Sequence, residues 1–220
     1  MITVSSRLAV NAQAPEAEAI ARLRRHLDRD GVAALPTDTV YGLAANALRP
    51  EAVARVFTLK GRSFHKPLPV VVRDLAQAAE LAAALPPLFH RLAAAFWPGP
   101  LTLVVAAAPH LPAALTAGTG AVGMRQPNLP LLAALLAATG YPLTATSANR
   151  SGQPECRTAP EVEAQWQDAE AADIVNFLVV DGGRSPLALP STLVDLTQAG
   201  PKILREGAIP TAALEKYWRG

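Results

Sequence analysis

The chain has 220 residues, half of them hydrophobic, with charged residues at 17% and aromatics at 5%. That composition can build one sizeable core and excludes a disordered or fibrous chain. A formal net charge of +2 is too mild to mark a nucleic-acid binder by itself.

A single cysteine, Cys156, leaves no intrachain disulfide to form. No Cys/His pattern has zinc-site spacing, so neither zinc nor haem is expected. The opening residues, MITVSSRLAVNAQAPEAEA, lack the basic-then-apolar pattern of a secretory signal. The apolar run 131–138 is too short to cross a bilayer. A cytoplasmic protein without membrane contact is expected.

Residues 1–14 read as an N-terminal extension and 15–210 as one domain, with a short helix over 211–220. In chain order, 15–29 carries Ile20, Leu23 and Leu27 on one face and charges on the other, which predicts a helix that Gly31 can end. A buried strand over 32–35 runs into PTDTVYGL, where Pro36 stops the ladder. That strand end gathers Thr37, Asp38, Thr39 and Tyr41, the equipment either of a site or of a capped turn. A helix over 50–60 follows, with Gly61 as its C-cap, and then a strand over 68–72. Helices over 75–85 and 88–97 end at Pro86-Pro87 and Pro98-Gly99-Pro100. Strands over 101–106 and 121–124 follow, the second delivering Arg125. A helix over 129–139 precedes a strand over 142–145 that runs into TSANRSG. This second strand-end loop offers hydroxyls, an amide and backbone N–H groups, but not the glycine spacing or lysine of a Walker loop. A helix over 160–171 and strands over 174–180, 193–195 and 202–205 complete the α/β alternation, which predicts a single α/β domain with a twisted mixed sheet flanked by helices.

Charge is distributed unevenly. The chain has four lysines, and Lys60 and Lys66 fall in TLKGRSFHKPLPVVVR together with Arg62, His65 and Arg73. No Asp or Glu stands between Glu51 and Asp74, nor from Leu81 to Pro154, where Arg91, Arg125 and Arg150 occur. Cations at the head of a buried strand, facing no sequence-local carboxylate, point to an anionic ligand. Lys60 alone is also explained by the helix dipole at its C-terminal turn.

Five strings stand in order along the chain: PTDTVYGL, KGRSFHKPLPV, WPGPLTLV, TATSANRSG, and PSTLVD followed by ILREG. Together they resemble the YrdC-like family of threonylcarbamoyl-AMP synthases, and CRTAPEVEAQ resembles its short bacterial members. The resemblance implies a YrdC-like catalytic domain over 15–210 with a basic concave cavity. It implies formation of threonylcarbamoyl-AMP and pyrophosphate from L-threonine, bicarbonate or CO2, and ATP, with Mg2+ accompanying ATP. The adenylate would pass to tRNA threonylcarbamoyl-transfer proteins that make N6-threonylcarbamoyladenosine in tRNA. Such chemistry needs a triphosphate, a carboxylate and a carbamate held in line, not a covalent nucleophile.

Site roles follow from the matched motifs. Lys60, Arg62 and Lys66 are implied as catalytic cations on the ATP phosphates, with Ser147, Asn149 and Arg205 also on the nucleotide. Thr39, Arg125 and Ser191 are implied on threonine, with Tyr41 as a wall of its pocket. Val71 and Ala121 stand where some members carry His and Thr. No protein ligand for Mg2+ is assigned, and Asp38 is not expected to be one. Cys156, the histidines His26, His90 and His110, and the tryptophans Trp97, Trp166 and Trp218 are read as structural residues. Two rival readings are a non-catalytic binder of tRNA or double-stranded RNA, which would not need the PTDTVYGL and SAN loops, and carbamoyl transfer of the hydrogenase-maturation kind.

Overall fold

The structure is a computed structural model and describes residues 7–63, 66–169 and 175–218. Its strands are β1 (Arg7–Ala9), β2 (Val32–Leu35), β3 (Gly42–Ala44), β4 (Val70–Val71), β5 (Leu101–Ala106), β6 (Ala121–Arg125), β7 (Leu143–Thr144), β8 (Thr146–Ser147), β9 (Phe177–Asp181), β10 (Thr192–Asp195) and β11 (Lys202–Arg205). Its helices are α1 (Ala17–Leu27), α2 (Pro50–Lys60), α3 (Leu75–Leu81), α4 (Pro87–Phe96), α5 (Ala113–Thr116), α6 (Pro130–Thr139), α7 (Ala159–Gln165) and α8 (Thr211–Glu215).

The expected mixed sheet is two mixed sheets. One has the order β1-β9-β2-β3-β8, the other β11-β10-β5-β6-β4-β7. They are joined where β7 passes directly into β8 at Ala145. Thr144 fixes this crossing: its N–H donates to Ala45 O, while its hydroxyl donates to Leu43 O and accepts from Ala45 N, each at 2.9 Å.

The local signals explain most boundaries. Pro50 opens α2, where its missing N–H costs nothing, and Gly61 closes it at φ 56°, a left-handed position. Asp74 caps α3 by accepting Gln77 N, and Thr158 caps α7 by accepting Glu161 N. Helix α1 ends otherwise than expected, because Asp30, not Gly31, takes the left-handed conformation. Gly31 instead lies against His26, where a Cβ would sit 2.5 Å from the ring. The strand expected over 68–72 narrows to Val70–Val71, because Pro67 and Pro69 donate nothing to a ladder. Strand β1 falls within the residues read as an extension and pairs in parallel with β9. The expected ends at Ala171 and Ile174 lie outside the described residues.

Two apolar clusters form the core. The larger gathers Val53, Val56 and Phe57 of α2, Phe89 and Leu92 of α4, and Leu101, Leu103 and Val105 of β5. The smaller packs Leu23 and Leu27 of α1 against Leu131, Leu132, Leu135 and Leu136 of α6 and the face of β2 and β9. The tryptophans are structural as expected: Trp166 is buried and donates to Leu59 O at 2.9 Å, and Trp97 donates to Leu101 O at 2.7 Å.

Candidate active site

Alternation along the six-stranded sheet builds the site. Leu101, Leu103, Val105, Val122 and Met124 point into the core. Thr102, Val104, Gly123 and Arg125 point the other way, onto the floor of a cleft of about 270 Å³. Gly123 adds no side chain to this floor, and a Cβ there would come into ordinary contact with the methyl groups of Thr102 and Val104 at 3.4 and 3.5 Å. Loops and strand ends wall the cleft and bring in Thr39, Arg62, Ser147, Glu155, Ser191 and Arg205. Arg62, Arg125 and Arg205 face one carboxylate among the described lining residues, Glu155. Through Arg62 the cleft adjoins a recess of about 340 Å³ lined also by Lys60, Ser63, Lys66, Asn149, Ser151 and Gly152.

The first loop is tied by its own hydroxyls. Thr37 Oγ1 donates to Val40 O at 2.7 Å and accepts from Thr39 N at 3.0 Å, which fixes Thr39 at the cleft wall. Behind it Arg125 Nη1 donates to Asp38 Oδ1 at 2.6 Å, and the two side chains are 6% and 7% exposed. From the sequence the carboxylate-free stretch around Arg125 points to an anionic ligand alone; the pairing with Asp38, 87 residues away, is visible only in the structure.

Lys60 is buried and holds the second loop. Its ammonium donates to Ser147 O at 2.5 Å, Asn149 O at 2.8 Å and Asn149 Oδ1 at 3.2 Å. Burial, with the nearby Arg62 charge, pushes its pKa down to about 8. Asn149 turns its amide nitrogen inward, to Arg150 O and Gln153 O. Arg62 is partly buried, donates to Thr146 Oγ1 at 3.3 Å and Pro67 O at 3.1 Å, and burial lowers its pKa.

The third wall comes from β10 and β11. Thr192 Oγ1 donates to Ile209 O and accepts from Gly207 N and Ile209 N, pinning the chain as it leaves β11. Gly207 must be glycine here, because a Cβ would stand 2.3 Å from Pro190 O. Arg205 then folds over Ser191, reaching its carbonyl at 2.9 Å and 3.2 Å, while Ser191 Oγ pairs with Thr102 Oγ1 at 2.8 Å.

Thus Thr39, Arg62, Arg125, Ser147, Ser191 and Arg205 share the cleft, while Lys60, Lys66 and Asn149 line the adjoining recess. Tyr41 does not wall the cleft. It is fully buried, and its hydroxyl donates to Gly183 O at 2.7 Å, with burial raising its pKa to about 12. Val70, not Val71, faces the cleft beside Ala121, and Val71 turns into the leucine cluster of α6. His65 lies outside the described residues. Glu155 was missed because one carboxylate after a Gly-Gln-Pro turn carries no signal of its own; its neighbour Cys156, buried and raised to about 11 by desolvation, is not a thiolate at neutral pH.

Among the described residues, no group of three His, Cys, Asp or Glu could hold a metal ion, and no helix is long and apolar enough to cross a membrane. A family model described as Telomere recombination, that of the Sua5/YciO/YrdC proteins, matches residues 25–207. A threonylcarbamoyl-AMP synthase of Pyrococcus abyssi is 37% identical over 189 residues, 86% of this chain and 54% of that protein. The same enzyme of Bacillus subtilis is 38% identical over 197 residues, 89% of this chain and 55% of that protein. The chain spans about half the length of these two curated relatives. A crystal structure of Pyrococcus abyssi Sua5 complexed with L-threonine superposes with a TM-score of 0.89 at 34% identity, covering 96% of this chain and 60% of that one. With the motif loops converging on one cleft and the family model spanning most of the chain, this protein belongs to the Sua5/YciO/YrdC family.

Proposed function

We propose that this chain is a threonylcarbamoyl-AMP synthase, an ATP-dependent nucleotidyltransferase acting in the cytoplasm on L-threonine, bicarbonate or CO2, and ATP. The observation that carries the reading is the junction at Arg62 of two compartments. One is a cleft with a buried arginine and two hydroxyl-bearing walls; the other is a recess bearing Lys60 and Lys66. An amino acid fits the first through its carboxylate and hydroxyl, and a polyphosphate fits the second.

In this reading Arg125 pairs with the threonine carboxylate, and Thr39 and Ser191 offer hydroxyls to the side chain. Arg62 and Lys66 meet the phosphates, Ser147 and Asn149 border the nucleotide, and Arg205 closes over Ser191. Lys60 acts on the nucleotide mainly by holding the 147–149 carbonyls. The threonine ammonium gives up one proton to solvent, the amine nitrogen bonds to the CO2 carbon, and a second nitrogen proton passes to solvent to leave a carbamate. A carbamate oxygen then attacks the α-phosphorus, the bond to the β-phosphate bridging oxygen breaks, and pyrophosphate leaves with that electron pair. Fixed cations stabilise the charge that develops without having to reorganise. Mg2+ would come with ATP, held by phosphates and water, and would neutralise phosphate charge; among the described lining residues Glu155 is the one carboxylate beside the cleft. The adenylate passes to proteins that transfer the threonylcarbamoyl group to tRNA.

The test is pyrophosphate release with ATP, bicarbonate and Mg2+. Release is expected only when L-threonine is added, and threonine-independent or absent release would overturn the reading.

A further inference from the structure

Asp38 does not line the cleft. It lies behind it, bordering a groove of about 460 Å³ shared with Phe96, Trp97, Pro98 and Leu187. Arg125 therefore forms a partition, with the cleft on one side and Asp38 on the other. Asp38 is 5% exposed and Arg125 is 5% exposed, so their contact at 2.6 Å is shielded from water. Among the described residues, Asp38 Oδ2 is buried with no partner, so no second donor shares this carboxylate with Arg125. The loop that carries it is fixed by the Thr37 hydroxyl and by Leu187 N donating to Asp38 O at 3.4 Å.

We propose that Asp38 is the positioning residue for Arg125: it occupies one guanidinium N–H and turns the remaining edge toward the carboxylate of the amino-acid substrate. The proposal rests on the threonine reading above. Arginine has five N–H donors in a rigid planar fork on a flexible stem, so a single buried anion behind it selects one orientation of the fork. It also gives the buried guanidinium a counter-charge of its own. Recognition then depends on direction more than on net charge, because the pair is neutral before the substrate arrives. Asp38 touches no substrate and is not a catalytic residue.

The test compares binding of L-threonine and L-threoninamide, whose carboxylate is replaced by a neutral amide, by calorimetry on wild type, Asp38→Asn and Asp38→Ala. A charge-assisted pair makes wild type prefer threonine by roughly 10- to 100-fold. Asp38→Ala should cut that preference to about three-fold or less, and Asp38→Asn, which keeps an acceptor and shape, to an intermediate value. The preference is a ratio of two affinities of folded protein, so simple destabilisation leaves it unchanged. An unchanged preference in both variants, or a raised one in Asp38→Ala as loss of a neighbouring negative charge alone would give, would mean that Asp38 does not orient Arg125 and would overturn the proposal. Equal binding of both ligands by wild type would overturn the pairing of Arg125 itself, and pyrophosphate assays on wild type report separately on the threonylcarbamoyl-AMP reading.

Discussion

Replacing Lys60 with methionine separates a loop clamp from a phosphate ligand. The variant keeps an unbranched apolar stem but removes the ammonium from three acceptors, at 2.5, 2.8 and 3.2 Å. The two shorter bonds, each to a carbonyl from a charged donor, carry about 1.5–3 kcal/mol apiece, a gross loss of roughly 3–6 kcal/mol. The burial of the ammonium works in the opposite sense. A pKa lowered from 10.5 to about 8 corresponds to roughly 3 kcal/mol of disfavour for the charged form, which the variant no longer bears. The net expectation is a loss of up to about 3 kcal/mol in global stability by urea unfolding, with faster amide hydrogen exchange concentrated at residues 147–153 as the deciding readout. Lys66→Ala is the control. Lys66 is exposed, so its removal should change stability by less than about 0.5 kcal/mol while weakening ATP binding. If Lys60→Met shows unchanged stability and unchanged exchange over 147–153, the clamp is wrong and Lys60 serves the ligand alone.

The same lysine predicts a pH response. Its folded pKa, near 8, lies below the unfolded value near 10.5, so the unfolded chain binds the extra proton between these limits. This site therefore adds stability as pH rises from about 8 to 10.5, and the stability gap between wild type and Lys60→Met should widen in wild type's favour over that window. Arg62→Ala should lower kcat/KM at least roughly 100-fold in the pyrophosphate assay, since it removes a fixed cation from the junction of the two compartments; a ten-fold or smaller loss would move the phosphate site elsewhere. Glu155→Gln should tighten ATP binding by about two- to ten-fold without Mg2+, the gain shrinking at high salt, because it deletes the carboxylate among three arginines. Weaker binding, seen only with Mg2+, would show instead that Glu155 supports a cation. Trp166→Phe should cost about 1–2 kcal/mol in thermal unfolding, because it leaves Leu59 O without its indole donor inside the core.

What could be read from the sequence is what local chemistry dictates. Pro50 and Gly61 bracket α2, Pro98-Gly99-Pro100 stops the chain after α4, and apolar runs mark β2 and β5 at their observed bounds. The order of the five strings carried the resemblance to the family, and that resemblance, motif by motif, implied Thr39, Arg62, Arg125, Ser147, Ser191 and Arg205, all of which meet in one cleft. Long-range packing alone sets the direction in which each polar group points. PTDTVYGL presents Thr39 to the cleft, sends Asp38 behind Arg125 and buries Tyr41 against Gly183, because hydrogen-bond partners 87 and 142 residues away select the side. Lys60 reads as a phosphate cation until carbonyls 87 and 89 residues on are seen to take its donors. The division into two sheets is equally invisible along the chain, since it turns on Ala145 between two two-residue strands. A sequence fixes which groups can ionise or donate; long-range packing fixes what they face, and in this protein that separates the residues that meet a ligand from those that hold them in place.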